Sequence, residues 1–233
     1  MDLLSIDRWS PRGAENRAAT ELKLRDFLEL AIGYGLILLV IWTENPLQRW
    51  LYWASVAWIL LVTALSFDGW KAMGLDLAGL WRSLWVVGIA LLAAMAAIVL
   101  ASRFHTLQHP RGFVAFVHRF WGYGIWAFMQ QFLLQDFVLL RLLRLLTDKK
   151  AAVIAATALF AIAHLPSPIL ISATLIWGSV ACLLFLKYRN IYTLAVAHAI
   201  LGICVAITIP GHVDHNMRVG RGYLTYNSRS FVR

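Results

Sequence analysis

Charged residues are scarce in this chain: 14% of 233 residues, where an ordinary soluble domain carries about 25%. With 61% hydrophobic residues and a mean hydropathy of +0.69, that shortage excludes an ordinary soluble domain and indicates a membrane protein. Acids are scarcer still, 12 against 21 lysines and arginines, for a net charge of +9. In a soluble chain such an excess suggests nucleic acid. Here the bases cluster in the connections between apolar runs, the pattern of contact with anionic lipid headgroups, so membrane lipids are expected as partners and nucleic acid is not. There are only two cysteines, Cys182 and Cys204, both inside apolar runs and without a close sequence partner. That excludes a disulfide framework and a thiolate metal site and leaves two small core residues. The first 26 residues mix Arg8, Arg12, Arg17, Lys23 and Arg25 with acids, and no short apolar core with a small-residue cleavage site follows. A cleavable signal is therefore not expected, and the first span should stay as an anchor. Neither an internal repeat nor a linker long enough for a second domain is visible.

What the chain has in abundance is apolar length. A spanning helix needs about 20 mainly apolar residues. Seven candidates meet or approach that criterion: residues 27–43, 49–66, 83–102, 118–140, 150–165, 168–187 and 190–209. The expected fold class is all-α, a polytopic bundle of about seven transmembrane helices in the cell (plasma or inner) membrane. Residues 1–26 form a cytoplasmic or interfacial segment, with 14–26 amphipathic enough to run into the first span as a helix. Residues 27–209 form the bundle, and 210–233 a loosely ordered basic tail rich in glycine. Trp50, Trp53, Trp81 and Trp121 sit near span ends, as interfacial anchors do. Lysine and arginine bias favours a cytoplasmic N-terminus and a cytoplasmic connection from Arg141 to Lys150, which seven spans then pair with an outer tail.

Polar residues inside these runs are the informative ones. Placing a charged group in hydrocarbon costs roughly 2.5 to 3.5 kcal/mol, so ionisable and strongly polar side chains there usually face a bundle interior or a wet cavity. His164 lies in Phe160-Ala-Ile-Ala-His164-Leu-Pro166, His198 in Leu194-Ala-Val-Ala-His198-Ala-Ile-Leu-Gly202, and Gln130, Gln131, Gln135 and Asp136 interrupt the fourth span. Gln131 and Gln135 share a helix face, whereas Gln130 is turned by about 100°. Carboxamides in such places also serve as interhelical glue, worth roughly 0.6 to 2 kcal/mol each. Three polar positions on three helices point beyond glue to one buried site. Asp136 projects from another part of the helix, near Arg141, and is expected to pair with a basic neighbour or a headgroup. His105-Thr-Leu-Gln-His109 has helical metal-ligand spacing, with His118 near, but Pro110 and Gly112 mark a loop there; His212 and His215 read as solvated loop residues of the polar tail.

The order Gln130-Gln131-x-x-x-Gln135, Phe160-x-x-x-His164 and His198-x-x-x-Gly202, with Gly178 and Tyr188-Arg189-Asn190 between, resembles the CPBP family of intramembrane endopeptidases over residues 115–205. That family, which includes CAAX prenyl proteases, carries Glu-Glu-x-x-x-Arg where this chain has the glutamines. The resemblance implies a conical polar cavity in the last helices, with Gln130, Gln131, His164 and His198 as the catalytic set. It also implies Gln135, Phe160 and Gly202 as substrate contacts, and a hydrophobic or lipidated peptide, or a partner's transmembrane helix, as the ligand. A divalent metal such as zinc on His164 and His198 is left open by it, although catalytic zinc commonly has three protein ligands. The family's first Glu activates a water for attack on the peptide bond. A carboxamide cannot take a proton near neutral pH, and general-base catalysis is typically worth 10²- to 10⁴-fold in rate. Two readings therefore stand together: an intramembrane endopeptidase, and a pseudoprotease that holds a membrane peptide without cutting it. A small transporter is disfavoured because no inverted repeat is visible.

Overall fold

The computed structural model describes residues 11–108 and 112–226, with side chains from residue 19 onward. Among the described residues the chain is helical throughout, with no strand. The N-terminal amphipathic stretch and the first apolar run form one helix, α1 (Pro11–Trp42), followed by α2 (Leu47–Leu65). A short 3-10 turn (Leu77–Gly79) capped by Asp76 then leads into α3 (Leu80–Arg103). α4 (Phe113–Phe132) continues through a π-helical stretch (Leu133–Leu139) into α5 (Leu140–Leu145). The remaining long helices are α6 (Lys149–Ile162), α7 (Pro168–Tyr188) and α8 (Ile191–Thr208). Short helices α9 (Gly211–Asp214) and α10 (Gly220–Leu224) close the described chain.

Three of the described helices are long and apolar enough to cross a membrane: Leu77–Arg103, Pro168–Tyr188 and Ile191–Thr208, matching the expected runs 83–102, 168–187 and 190–209. α6 has 14 residues, about 21 Å at 1.5 Å per residue, against a hydrocarbon core of about 30 Å. It falls short because the chain must turn at Pro166 to present its histidine.

Local chemistry sets the helix ends near the site. Asp148 caps α6 by accepting from the backbone of Lys150 and Ala151. Ser167 caps α7 with Pro168 at its first position, where a missing N–H costs nothing. Arg189, left-handed at φ 48°, ends α7, and Asn190 caps α8 by accepting from Thr193. Small residues let the helices approach: Val86 and Ala90 of α3 face Ala197 of α8, with a buried Ser83–Thr193 hydrogen bond of 2.9 Å. Gly178 of α7 seats Phe160 and Thr157 of α6.

Two expectations change here. Arg141 is buried rather than exposed and does not bond Asp136. It is 1% exposed and donates through Nε and Nη2 to Glu29 of α1 at 3.1 and 2.9 Å. Arg144 clamps Asp26 at 2.8 and 2.9 Å beside it. The two carboxylates, about one turn apart on α1, receive these guanidiniums, and Nη1 of Arg141 also donates to the Phe137 carbonyl of its own helical run at 3.1 Å. The described part of the tail is also ordered. Gly220 donates to the Leu165 carbonyl at 2.7 Å, its bare α-carbon packs on Ile41, and Arg221 pairs with Glu44 at 2.6 Å. His109 and the last two arginines lie outside the described residues.

Candidate functional site

The glutamines and histidines meet. Gln130 and Gln131 stand in the last turn of α4, and being 100° apart they reach different partners. The Gln131 amide lies 2.9 Å from Nδ1 of His198, while the Gln130 amide lies 3.4 Å from Nε2 of His164, a long contact. Gln135 donates to Oε1 of Gln131 at 3.2 Å. His164 follows the end of α6, in the turn forced by Pro166, and its Nδ1 is 2.7 Å from the Phe160 carbonyl.

These partners assign the tautomers. A carbonyl only accepts, so Nδ1 of His164 carries the proton and Nε2 presents its lone pair. An amide NH₂ only donates, so Nδ1 of His198 accepts and its proton is on Nε2. The relay from Gln135 through Gln131 to His198 thus fixes one imidazole as a donor, and Phe160 fixes the other as an acceptor. Phe160 does so twice over, since its ring sits edge-on to both histidines with centroids at 4.9 and 6.1 Å.

The site opens on a cavity of about 880 Å³, lined by Gln130, His164 and His198 amid apolar residues of α1, α2, α4, α7 and α8. Met217 and Val219 of the tail complete the wall. No aspartate, glutamate, lysine or arginine is among its described lining residues. The cavity is of the size that encloses a drug-sized or lipid-like ligand, and it is apolar with a few convergent polar groups.

Not every expected residue lines it. Gly202 and Phe160 do. Gln135 is fully buried behind Gln131 and supports the site from there rather than contacting a ligand. Asp136, 2% exposed, makes no hydrogen bond through either oxygen and is absent from the lining, so the expected pairing with a basic neighbour does not form. Cys182 and Cys204 are buried thiols, as their sequence context implies. Among the described residues no three histidine, cysteine or acidic side chains gather where they could hold a metal. Two imidazoles, one of them turned to donate, do not fit a zinc site with three protein ligands. Tyr123 and Trp177 also line the cavity, and the sequence reading passed over both. Tyr123 was detectable, since it precedes Gln130 by seven residues and so shares its helical face.

Neither a curated protein nor a solved structure matches the chain. Residues 116–204, which run from α4 into α8 and hold Gln130, Gln131, Gln135, Phe160, His164, His198 and Gly202, match the family described as type II CAAX prenyl endopeptidase Rce1-like. This match over the helical core supports membership of the CPBP family and a CAAX-protease-like membrane protein.

Proposed function

We propose that this protein holds an apolar or lipidated membrane peptide, or a partner's transmembrane helix, in the cavity of a protease-like fold without a carboxylate base. The observation that carries this reading is the neutral site: both glutamates of the family motif are glutamines here, each directed at a histidine, and no acid lines the cavity. Such a site binds peptide groups by hydrogen bonding and lacks the family's means of activating water. The bundle is a multi-pass one of about seven spans in the cell membrane, with residues 1–26 at the cytoplasmic face, 27–209 in the bilayer and 210–233 on the outer side. Exposed Trp50 and Trp81, in the first turns of α2 and α3, supply amphipathic rings of the kind that favour the headgroup level and support the membrane reading.

A second reading rests on His164. Its anchored Nδ1–H leaves Nε2 as an oriented base, so a slow peptidase using His164 to take the proton of the attacking water is its natural form. Purified protein in nanodiscs, given an S-farnesylated fluorescent peptide, separates the two. Saturable binding with the peptide intact supports the holding role; cleavage lost in His164→Ala supports the second; absence of binding overturns both.

A further inference from the structure

Tyr123 is the one phenol that reaches the histidine site from α4. Its hydroxyl lies against the backbone of α8 at Gly202, so closely that any β-carbon there would collide with it. Gly202 follows His198 by one helical turn, and Tyr123, Gly202, Gln130, His164 and His198 line the same cavity. The Tyr123 hydroxyl makes no hydrogen bond to another described residue. The contrast with Tyr34, whose hydroxyl on the opposite wall is spent on the Leu159 carbonyl at 2.8 Å, shows what a satisfied phenol looks like here. A phenol is normally paired when removed from water, because its lost hydration must be replaced. A phenylalanine would fill the same apolar space without that cost. The Tyr123 hydroxyl is not among the fully buried unpaired polar atoms; it opens on the cavity beside Gly202 and is available to an acceptor bound there.

We infer that Tyr123 is a ligand-contacting residue whose hydroxyl donates to a backbone carbonyl of the bound peptide beside His198, and that Gly202 is glycine to give that hydroxyl its place. The neighbours decide the chemical class of the acceptor. With Nε2–H of His198, the Gln130 amide and the Tyr123 hydroxyl all neutral, the constellation suits an uncharged amide carbonyl. A carboxylate or phosphate would lie in an apolar cavity with no cation among its described lining residues. The inference deepens the peptide-holding reading and rests on it.

The probe is an S-farnesylated tetrapeptide carrying ¹³C=O at the farnesyl-cysteine, titrated into the full chain in nanodiscs. Affinity is read by fluorescence, and the labelled carbonyl by isotope-edited infrared spectroscopy. The parent should bind and show a carbonyl band lowered in frequency. Tyr123→Phe should weaken binding about fivefold, as loss of one hydrogen bond does, and return the band upward. Gly202→Asn alone should lose binding through collision with the phenol. Tyr123→Ala with Gly202→Asn should recover it, because the carboxamide then occupies the vacated space with a donor of its own. If the parent binds and Tyr123→Phe leaves both affinity and band unchanged, the Tyr123 assignment is wrong while the holding role stands. If the folded parent does not bind the probe, the holding role fails and this inference goes with it.

Discussion

At the scale of single residues, the site is a set of hydrogen-bond assignments imposed on two imidazoles. Gln131 is the pivot, fully buried, accepting from Gln135 and donating to His198. Gln131→Leu strands the Gln135 amide and Nδ1 of His198 together, and unsatisfied buried groups cost about 1–3 kcal/mol each. The expected outcome is a lower melting temperature in detergent with weaker peptide binding. Gln130 is the half-buried partner, where a carboxylate is tolerable. Gln130→Glu, alone or with Gln131→Glu, restores a base at the edge of the cavity and should raise cleavage of a reconstituted apolar peptide by about 10²-fold, a gain that His198→Ala abolishes. If the unmodified protein already cleaves and Gln130→Ala leaves the rate unchanged, the base is His164. The histidines were legible in the sequence because ionisable groups in apolar runs are conspicuous. Tyr123, though it shares the helical face of Gln130 at a seven-residue spacing, was passed over because a tyrosine in such a run also has an apolar reading.

Secondary-structure elements are held to one another by two unlike devices. α3 and α8, and α6 and α7, meet through small residues, and the α1–α2 pair is fastened to α5 by ions. Glu29 receives Arg25 at 2.7 Å, Arg141 at 2.9 Å and the Ser66 hydroxyl at 3.3 Å, and it is 6% exposed. Removing one partner of a buried pair leaves an uncompensated charge, which costs about 3–5 kcal/mol, whereas replacing both by apolar groups is often neutral. Glu29→Gln should therefore lower thermal stability strongly, and Glu29→Leu with Arg141→Met should recover most of it. The Arg221–Glu44 pair, with both side chains at least half exposed, should shift stability by no more than about 1 kcal/mol when Arg221→Ala is compared with the parent. The π-helical stretch sits where the glutamine cluster meets the buried acid Asp136. Its extra residue per turn widens the helix there, a feature found at functional sites.

On the scale of the whole molecule, the cavity is enclosed by parts distant in the chain: α1 and α2 from one end, Met217 and Val219 from the other. The tail that brings those two residues is built around Asp214, 1% exposed, one of whose oxygens accepts from Asn216 at 2.9 Å while the other is unpaired. Burial raises the Asp214 pKa above the ordinary carboxylate value in spite of its backbone donors. The folded state thus binds the proton more tightly than the unfolded one. Tail packing should be firmest below the ordinary carboxylate pKa and weaken as pH rises through the raised value. Hydrogen exchange across residues 211–224 as a function of pH should show this, and Asp214→Asn should flatten the profile. Sidedness is tested separately. If the basic-residue bias sets the orientation, the α5–α6 connection faces the cytoplasm and Asp148→Cys should resist a membrane-impermeant maleimide applied to the outer face of intact cells; robust labelling there would reverse the orientation. Both native cysteines are buried and give little background.

Composition alone determined that the chain is an all-helical membrane protein, because apolar length has few other uses, and it placed α3, α7 and α8 to within a few residues, where hydropathy is uninterrupted. The caps Asp148, Ser167 and Asn190 are local features that the sequence reading did not single out as caps. Motif order named His164 and His198 and the glutamines before them. Only the tertiary structure decided which glutamine serves which histidine, because a 100° step between neighbours acquires meaning only when the facing helices are in place. It also decided that Arg141 belongs to Glu29 and not to Asp136, and that the described tail closes the cavity rather than trailing from it. Those are contacts across more than 100 residues or between chain ends, where pairing depends on helix packing that no local pattern encodes.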